Sequence, residues 1–316
     1  MLEEDARNKE EIREIVSTCS KLVNEYRSDS PRILEPDSNI VVHTGITEID
    51  SETVGMWPSD LVLLTSKSAV ERNIVAANIA AHVLKWEKLP TIIFSASRSR
   101  KEILSSLLAI DSRVSLRDII EGTVSFGVYD NLKTAAYFLC DAPLIIDTDS
   151  NQSLQGIMER TKAYRTDRFR PGLIVVDNVS VDELKKSDGH DRLVKKLKDL
   201  ASEMCCIFLI LSGLPDNDGK PYDKKPGIKD LRSITVLFGY IDSVLIAYCK
   251  GLRNKEFFDP EKGIMEIMIP KTREGPNGKT VKQRIDEDTF RLEDIKPVPD
   301  LPFIGESCDF PWDDDE

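Results

Sequence analysis

Six continuous apolar runs recur along this chain, and they constrain its fold more than any other feature. They are "LVLLTS" (61–66), "TIIFSA" (91–96), "PLIIDT" (143–148), "GLIVVDN" (172–178), "CIFLILSG" (206–213) and "SVLIAYC" (243–249). None alternates apolar with polar residues, as a strand with one wet face would. Segments of helical character lie between most of them, including 69–87, 153–165 and 190–204. Strands buried on both faces and linked through helices make an α/β domain, a mostly parallel central sheet with helices on both faces. Near the end, "GIMEIMIPK" and "GKTVKQRID" read as a hairpin with "TREGPNG" as its tip. No internal repeat interrupts this order.

The flanks differ in kind. Residues 10–27 place Ile12, Ile15, Val16, Cys19, Leu22, Val23 and Tyr26 on one face of an amphipathic helix. Two prolines in "SDSPRILEPDSN" then break it. The Pro-rich, acidic end "PVPDLPFIGESCDFPWDDDE" reads as a disordered tail. The expected division is therefore a helix and linker over 1–40, an α/β domain over 41–296 and a tail over 297–316.

Composition removes several function classes. With 316 residues, 41% hydrophobic and 31% charged, the chain can bury a substantial core. No apolar run is long enough for a membrane span, and the first twenty residues are acidic and helical in pattern rather than a signal peptide. A cytoplasmic protein with no membrane partner is expected. The six cysteines (19, 140, 205, 206, 249 and 308) form no C-x-x-C pair and are expected to be reduced, structural thiols. His43, His82 and His190 show no metal spacing, so no metal site is expected. Seven of the acids fall in the last twenty residues, which hold no Lys or Arg; the rest of the chain carries only −5 of the net −12. Any nucleic-acid surface must therefore be local.

The loop after the first run, Thr65 to Arg72, lies between a strand and a helix, where a phosphate-binding loop would sit. Such a loop uses glycines to aim backbone N–H groups at phosphate, a Lys to neutralise it and a Ser or Thr to hold Mg²⁺. Here the corresponding tripeptide is Val70-Glu71-Arg72, with Glu71 expected to face and repel a triphosphate. Ser66, Lys67, Ser68 and Arg72 are the weak candidates left for nucleotide contact. A second Gly-Lys-Thr, in "GPNGKT" (275–280), lacks the required Gly at 273 and lies in the hairpin.

At this point the order of segments resembles the RecA-like motor domain of DnaB-type replicative helicases. The family reads T-G-[FY]-x-x-L-D-x-x-T-x-G-[LW]-x-P-x-D-L before its first strand; Thr44-Gly45, Asp50, Thr53, Gly55, Pro58 and Asp60-Leu61 match, as does Asn78-Ile79-Ala80 in the helix. "TIIFSASRSRKEIL", "GLIVVDNVSV", "FLILSGLPD", "KPGIKDLRS" and "IPKTREGPNGKTV" follow in the family's order to about residue 293. The resemblance implies a P-loop NTPase fold. It makes Asp177 the Walker B acid, and Lys271 and Arg273 a finger that reaches a neighbour's nucleotide. It places Lys224, Lys225, Lys229 and Arg232 on a loop that follows single-stranded DNA, and makes the first helix a linker that docks on an adjacent subunit. Bland readings stand beside these: Asp177 as the cap of a strand, "DKKPGIK" as a polar loop, and the helix as packed on its own domain.

The departures concern one chemistry. Ser97 stands where the family has its water-activating Glu, Gly213 where it has a Gln sensor, and Thr235 and Phe238 where it has Gly and Glu. These groups act as a unit in phosphoryl transfer. The expectation is a degenerate, ATPase-deficient helicase-like protein that works by binding DNA, itself in a ring, or an active helicase in a mixed ring among replication proteins, with no cofactor. Two alternatives stand: a functional ATP-dependent 5′-3′ helicase with an atypical nucleotide loop, using ATP and Mg²⁺, and a RecA-like adaptor acting through its tail, with Phe310 and Trp312 as partner anchors.

Overall fold

A computed structural model describes residues 2–22, 41–149, 153–188, 191–214, 225–226, 230, 234–250 and 263–295. All six apolar runs form strands: β1 (Leu61–Ser66), β2 (Thr91–Ser95), β3 (Leu144–Asp147), β4 (Leu173–Asp177), β7 (Ile207–Gly213) and β8 (Ser243–Cys249). The small antiparallel pair β5 (Ser187–Asp188) and β6 (Asp191–Arg192) lies apart from them. The hairpin strands β9 (Ile264–Thr272) and β10 (Gly275–Ile285), then β11 (Leu292–Asp294), extend one edge antiparallel. The nine-stranded order is β11-β10-β9-β8-β1-β7-β4-β2-β3, with β8 through β3 mutually parallel.

The continuous apolar runs arise because both faces are covered. Along β1, Val62 and Leu64 enter one core while Leu61 and Leu63 enter the other; Val175 and Val176 divide in the same way on β4. The first core is roofed by α3 (Ala69–His82), α4 (Arg100–Ser112), α5 (Leu116–Glu121) and α6 (Phe126–Asp141). The second is covered by α7 (Leu154–Tyr164), α8 (Val181–Lys185) and α9 (Leu193–Met204). Helix starts follow local chemistry. Ser99 Oγ accepts from Glu102 N at 3.3 Å while the Glu102 carboxylate accepts from Ser99 N at 2.7 Å, a reciprocal cap on α4.

The turn before α2 (Thr47–Thr53) explains the Thr-Gly…Asp spacing. The Asp50 carboxylate accepts from Thr44 N (2.7 Å), Thr44 Oγ1 (2.8 Å) and Gly45 N (3.1 Å). Gly45 has φ +81°, and a β-carbon there would fall 2.3 Å from the His82 ring, so only glycine fits. These residues are architectural.

Two expectations about the ends are corrected. The hairpin turns at Arg273–Glu274 alone; Gly275 pairs with Thr272 and Pro276 with Lys271, and a register shift before Lys279 absorbs the rest of the expected tip. The first helix, α1 (Leu2–Leu22), starts earlier than its apolar spacing indicates, and residues 23–27 lie outside the described residues. The described part of its stripe is covered by the chain's own domain, the second of the two readings given to this helix. Ile12, Val16 and Cys19 are buried in the core of their own domain, with α1 packed against α4 and α6. Glu11 pairs with Lys133 at 3.4 Å, and Arg100 donates to Ser20 O at 3.4 Å. The acidic tail with Phe310 and Trp312 lies outside the described residues.

Intramolecular packing of α1 has a direct test. Ile12→Ala removes a fully buried side chain and is expected to cost about 2–5 kcal/mol. Urea denaturation should give this loss independently of protein concentration; a loss that shrinks as concentration rises would mean that α1 packs on another copy.

Candidate functional site

The carboxyl ends of β1, β2, β4 and β7 form one edge of the sheet, and β4 delivers Asp177 there. Asp177 is 5% exposed. Its Oδ2 accepts from Ser95 Oγ at 2.8 Å and from Ser97 Oγ at 3.1 Å, and the peptide bond that follows it is cis. Ser97 thus stands against the acid instead of supplying a carboxylate. Ser95 also accepts from Arg98 N at 3.2 Å, which folds the "SASRSR" loop over Asp177. A cavity of about 30 Å³ lies between this loop and α3, lined by Asn73, Ser95, Arg98 and Asp177 among apolar residues.

The strand–loop–helix frame is present, but its helix start is occupied by the chain itself. Glu71 does not face outward as expected. It is buried, with Oε1 accepting from Cys249 N at 2.9 Å and Oε2 from Ser68 N at 3.4 Å. It therefore caps α3 and holds the end of β8. Arg72 turns the other way. It is 5% exposed, near Asp177 and Glu71, and Gly213 leaves room beside it: a β-carbon at 213 would lie 3.9 Å from Arg72 Nη1. Burial pushes the Arg72 guanidinium below its ordinary pKa, opposed by the two carboxylates. Burial lowers Arg98 likewise, opposed by Asp177 and Glu102. Ser66 Oγ donates to Ser68 O at 2.5 Å, Leu214 N closes on Ser66 O at 2.9 Å, and Lys67 stays half-buried on the loop.

Mg²⁺ with a nucleotide does not fit this arrangement. The residue in the metal-binding position is a buried cation within electrostatic reach of Asp177 and Glu71, and the residue in the lysine position is a carboxylate that accepts from two backbone N–H groups. Among the described residues, no cluster of three His, Cys, Asp or Glu could hold a metal ion.

The hairpin cations occupy the opposite edge. Lys271 Nζ donates to Ile241 O at 2.5 Å and Asp242 O at 3.1 Å, and burial lowers its pKa. Arg273 Nη1 pairs with Asp60 Oδ1 at 3.1 Å, with its guanidinium over the Trp57 ring at 5.6 Å. Asp60 precedes β1 and Asp177 lies near the level of its far end, a strand length of roughly 15–20 Å away. The structure therefore does not bring Lys271 and Arg273 together with Asp177 in one chain. Of the basic loop, Lys225 is ion-paired with Glu266 on β9, while Lys224, Lys229 and Arg232 lie outside the described residues.

The family model described as "DnaB-like helicase C terminal domain" matches residues 41–294, the whole of the sheet and its covering helices α2 to α9. The chain belongs to that family. It is 27% identical over 262 residues to the replicative DNA helicase DnaB of Leifsonia xyli subsp. xyli (strain CTCB07), covering 81% of this chain and 56% of the relative. It is 26% identical over 276 residues to a probable replicative DNA helicase of Trieres chinensis, covering 85% and 59%. The chain thus spans little more than half the length of these curated relatives. Its fold is that of the RecA-like ATPase domains. One solved structure, described as an ATPase domain, superposes with TM-score 0.68 at 21% identity, over 82% of this chain and 93% of that one. A DnaB-like replicative helicase solved in a study of its interactions with primase gives 0.68 at 20%, over 82% and 63%. No described helix is long and apolar enough to cross a membrane.

Sequence reasoning missed Ser95, Arg98 and the Cys249 partner of Glu71. Serines at the end of a buried strand, beside the expected acid's strand, were the available signal for the first; nothing local links residues 71 and 249. It also missed the state of Asp60. Burial, with Asp242 adding to it, pushes this carboxyl up to about 6, against the pull of Trp57 N–H, Arg273 and Lys198. The folded protein binds this proton more tightly than the unfolded chain, whose ordinary value is 3.8. Asp60 therefore favours folding most at low pH, and that contribution is lost as pH rises through about 6. Denaturation at a series of pH values should show the stability of Asp60→Asn relative to wild type rising between about pH 4 and pH 6 and then levelling. A pH-independent difference would show that Asp60 ionises normally.

Proposed function

We propose that this chain is a DnaB-like helicase-family protein of DNA replication that acts by binding and does not turn over ATP. The observation that carries the reading is the closure of the nucleotide loop on its own residues. Glu71 is spent on Ser68 N and Cys249 N, and Arg72 is buried beside Asp177. Phosphoryl transfer requires positioning and charge neutralisation, and the protein groups that supply both are replaced here as a set. In this reading single-stranded DNA, further copies of the chain or an active helicase are the partners.

The finger supports a mixed ring. Lys271 and Arg273 lie at the sheet edge away from Asp177, so the site they could complete belongs to a neighbour. Arg273 is about half exposed and can exchange Asp60 for such a contact.

One observation favours the alternative of a working nucleotide loop. Thr65 Oγ1, Arg72 Nε, Asn73 Oδ1 and Ser212 Oγ are buried with no hydrogen-bond partner among the described residues. Buried polar atoms of this kind are normally met by water or a ligand. A steady-state assay with Mg²⁺, ATP and single-stranded DNA separates the readings. The proposal expects no turnover from the chain alone and no difference in Asp177→Ala. It expects the chain to alter the ATPase rate of an active helicase from the same cell in a manner lost in Arg273→Ala. Hydrolysis by the chain alone that disappears in Asp177→Ala would establish the alternative.

A further inference from the structure

Cys19 and Cys140 are 121 residues apart in sequence, yet their sulfur atoms lie 3.0 Å from each other. Cys19 sits in the last turn of α1, on the same stripe as Ile12 and Val16; Cys140 sits in the last turn of α6. Cys19 Sγ also lies 3.5 Å from Ala136 O, one turn back on α6, so its sulfur is held against that helix. Among the described residues no other pair of cysteines from separate elements is in contact: Cys205 and Cys206 are neighbours in sequence, and the Cys249 thiol is hydrogen-bonded to Lys250 O.

We propose that Cys19 and Cys140 are an oxidisable pair, and that their disulfide staples α1 to the body of the domain. In the reduced protein α1 is held by apolar packing, by the Glu11–Lys133 pair and by the Arg100–Ser20 hydrogen bond, all of which can be released together. A covalent link removes that freedom. The state of the pair therefore sets whether the apolar stripe of α1 is available to anything except its own domain.

The chemistry balances with a small-molecule disulfide such as glutathione disulfide as oxidant. Cys140 is the more accessible of the two and reacts first. Its thiolate, having lost its proton to solvent, attacks one sulfur of the oxidant and expels one glutathione thiolate, leaving a mixed disulfide on Cys140. The Cys19 thiolate then attacks the Cys140 sulfur and expels the second glutathione. Two protein thiols are oxidised and one disulfide is reduced; the two protons lost by the protein thiols are taken up by the two expelled glutathione thiolates, so none is released overall. The hydrogen bond with Cys140, followed by burial, holds the Cys19 thiol well above the ordinary thiol range, so the second step is slow at neutral pH and accelerates as pH rises.

The test uses the full chain incubated with glutathione disulfide and then with dithiothreitol. The expected result is a monomer that has lost two hydrogens and retains no glutathione, with a Cys19–Cys140 cross-link in its peptide map. Amide exchange in α1 should slow at least about tenfold and recover on reduction. Cys140→Ser should abolish the cross-link and Cys249→Ser should leave it intact. The peptide map of the wild-type chain decides the matter even if a variant folds poorly. A map in which Cys140 stays glutathionylated, or in which either residue pairs elsewhere or between chains, would overturn the proposal, as would a cross-link that leaves α1 exchange unchanged.

Discussion

The buried carboxylate of Asp177 is the constraint on which the site depends. A charge at the end of a covered strand is costly unless hydrogen bonds and opposite charge compensate it. In a P-loop site a Mg²⁺ ion supplies much of that compensation. Here the chain supplies its own: two serine hydroxyls on the strand side and the guanidinium groups of Arg72 and Arg98 nearby. Arg72 can enter because Gly213 leaves space on β7, and because Glu71 turns away to cap the helix and hold β8. The substitutions in "VER", Ser97 and Gly213 are thus parts of one electrostatic arrangement.

The sheet then separates the residues singled out from the sequence into two groups. Its carboxyl edge carries Asp177 and the closed loop. Its amino edge carries the hairpin, anchored by Lys271 on the Ile241 and Asp242 carbonyls and by Arg273 on Asp60. A sheet cannot fold one edge onto the other, so the hairpin cations and Asp177 do not meet within this chain. The two edges also differ in polarity: Asp60, Lys198, Asp242, Lys271 and Arg273 form a semi-buried network at the amino edge, and such a network fixes the hairpin's orientation as well as its charge.

Much of the fold was legible because it rests on periodicity and on short-range chemistry. Both faces of the sheet are covered, so each strand had to be an uninterrupted apolar run, and all six were readable. Thr44, Gly45 and Asp50 matched the family because one carboxylate satisfies three donors in a tight turn. The site was only half legible. The expectation that the loop lacks phosphate chemistry rests on residue types alone. Where Glu71 and Arg72 point depends on Cys249 and Asp177, more than a hundred residues away, and no local pattern encodes that. The sequence left two destinations open for α1 for a related reason: an apolar stripe specifies that a helix will be covered, not which surface covers it. The hairpin tip was drawn too long because Gly-Pro-Asn-Gly reads as a turn, whereas β10 takes in all four residues across a register shift.

The central claim is that the chain itself, and no nucleotide, completes the start of α3. Equilibrium binding of a non-hydrolysable ATP analogue, with and without Mg²⁺ and followed by amide exchange across residues 66–80, addresses it most directly. The account predicts no saturable binding below millimolar nucleotide and no change in α3 exchange on adding Mg²⁺. Micromolar, Mg²⁺-dependent binding that protects the first turn of α3 and is lost in Asp177→Ala would contradict it.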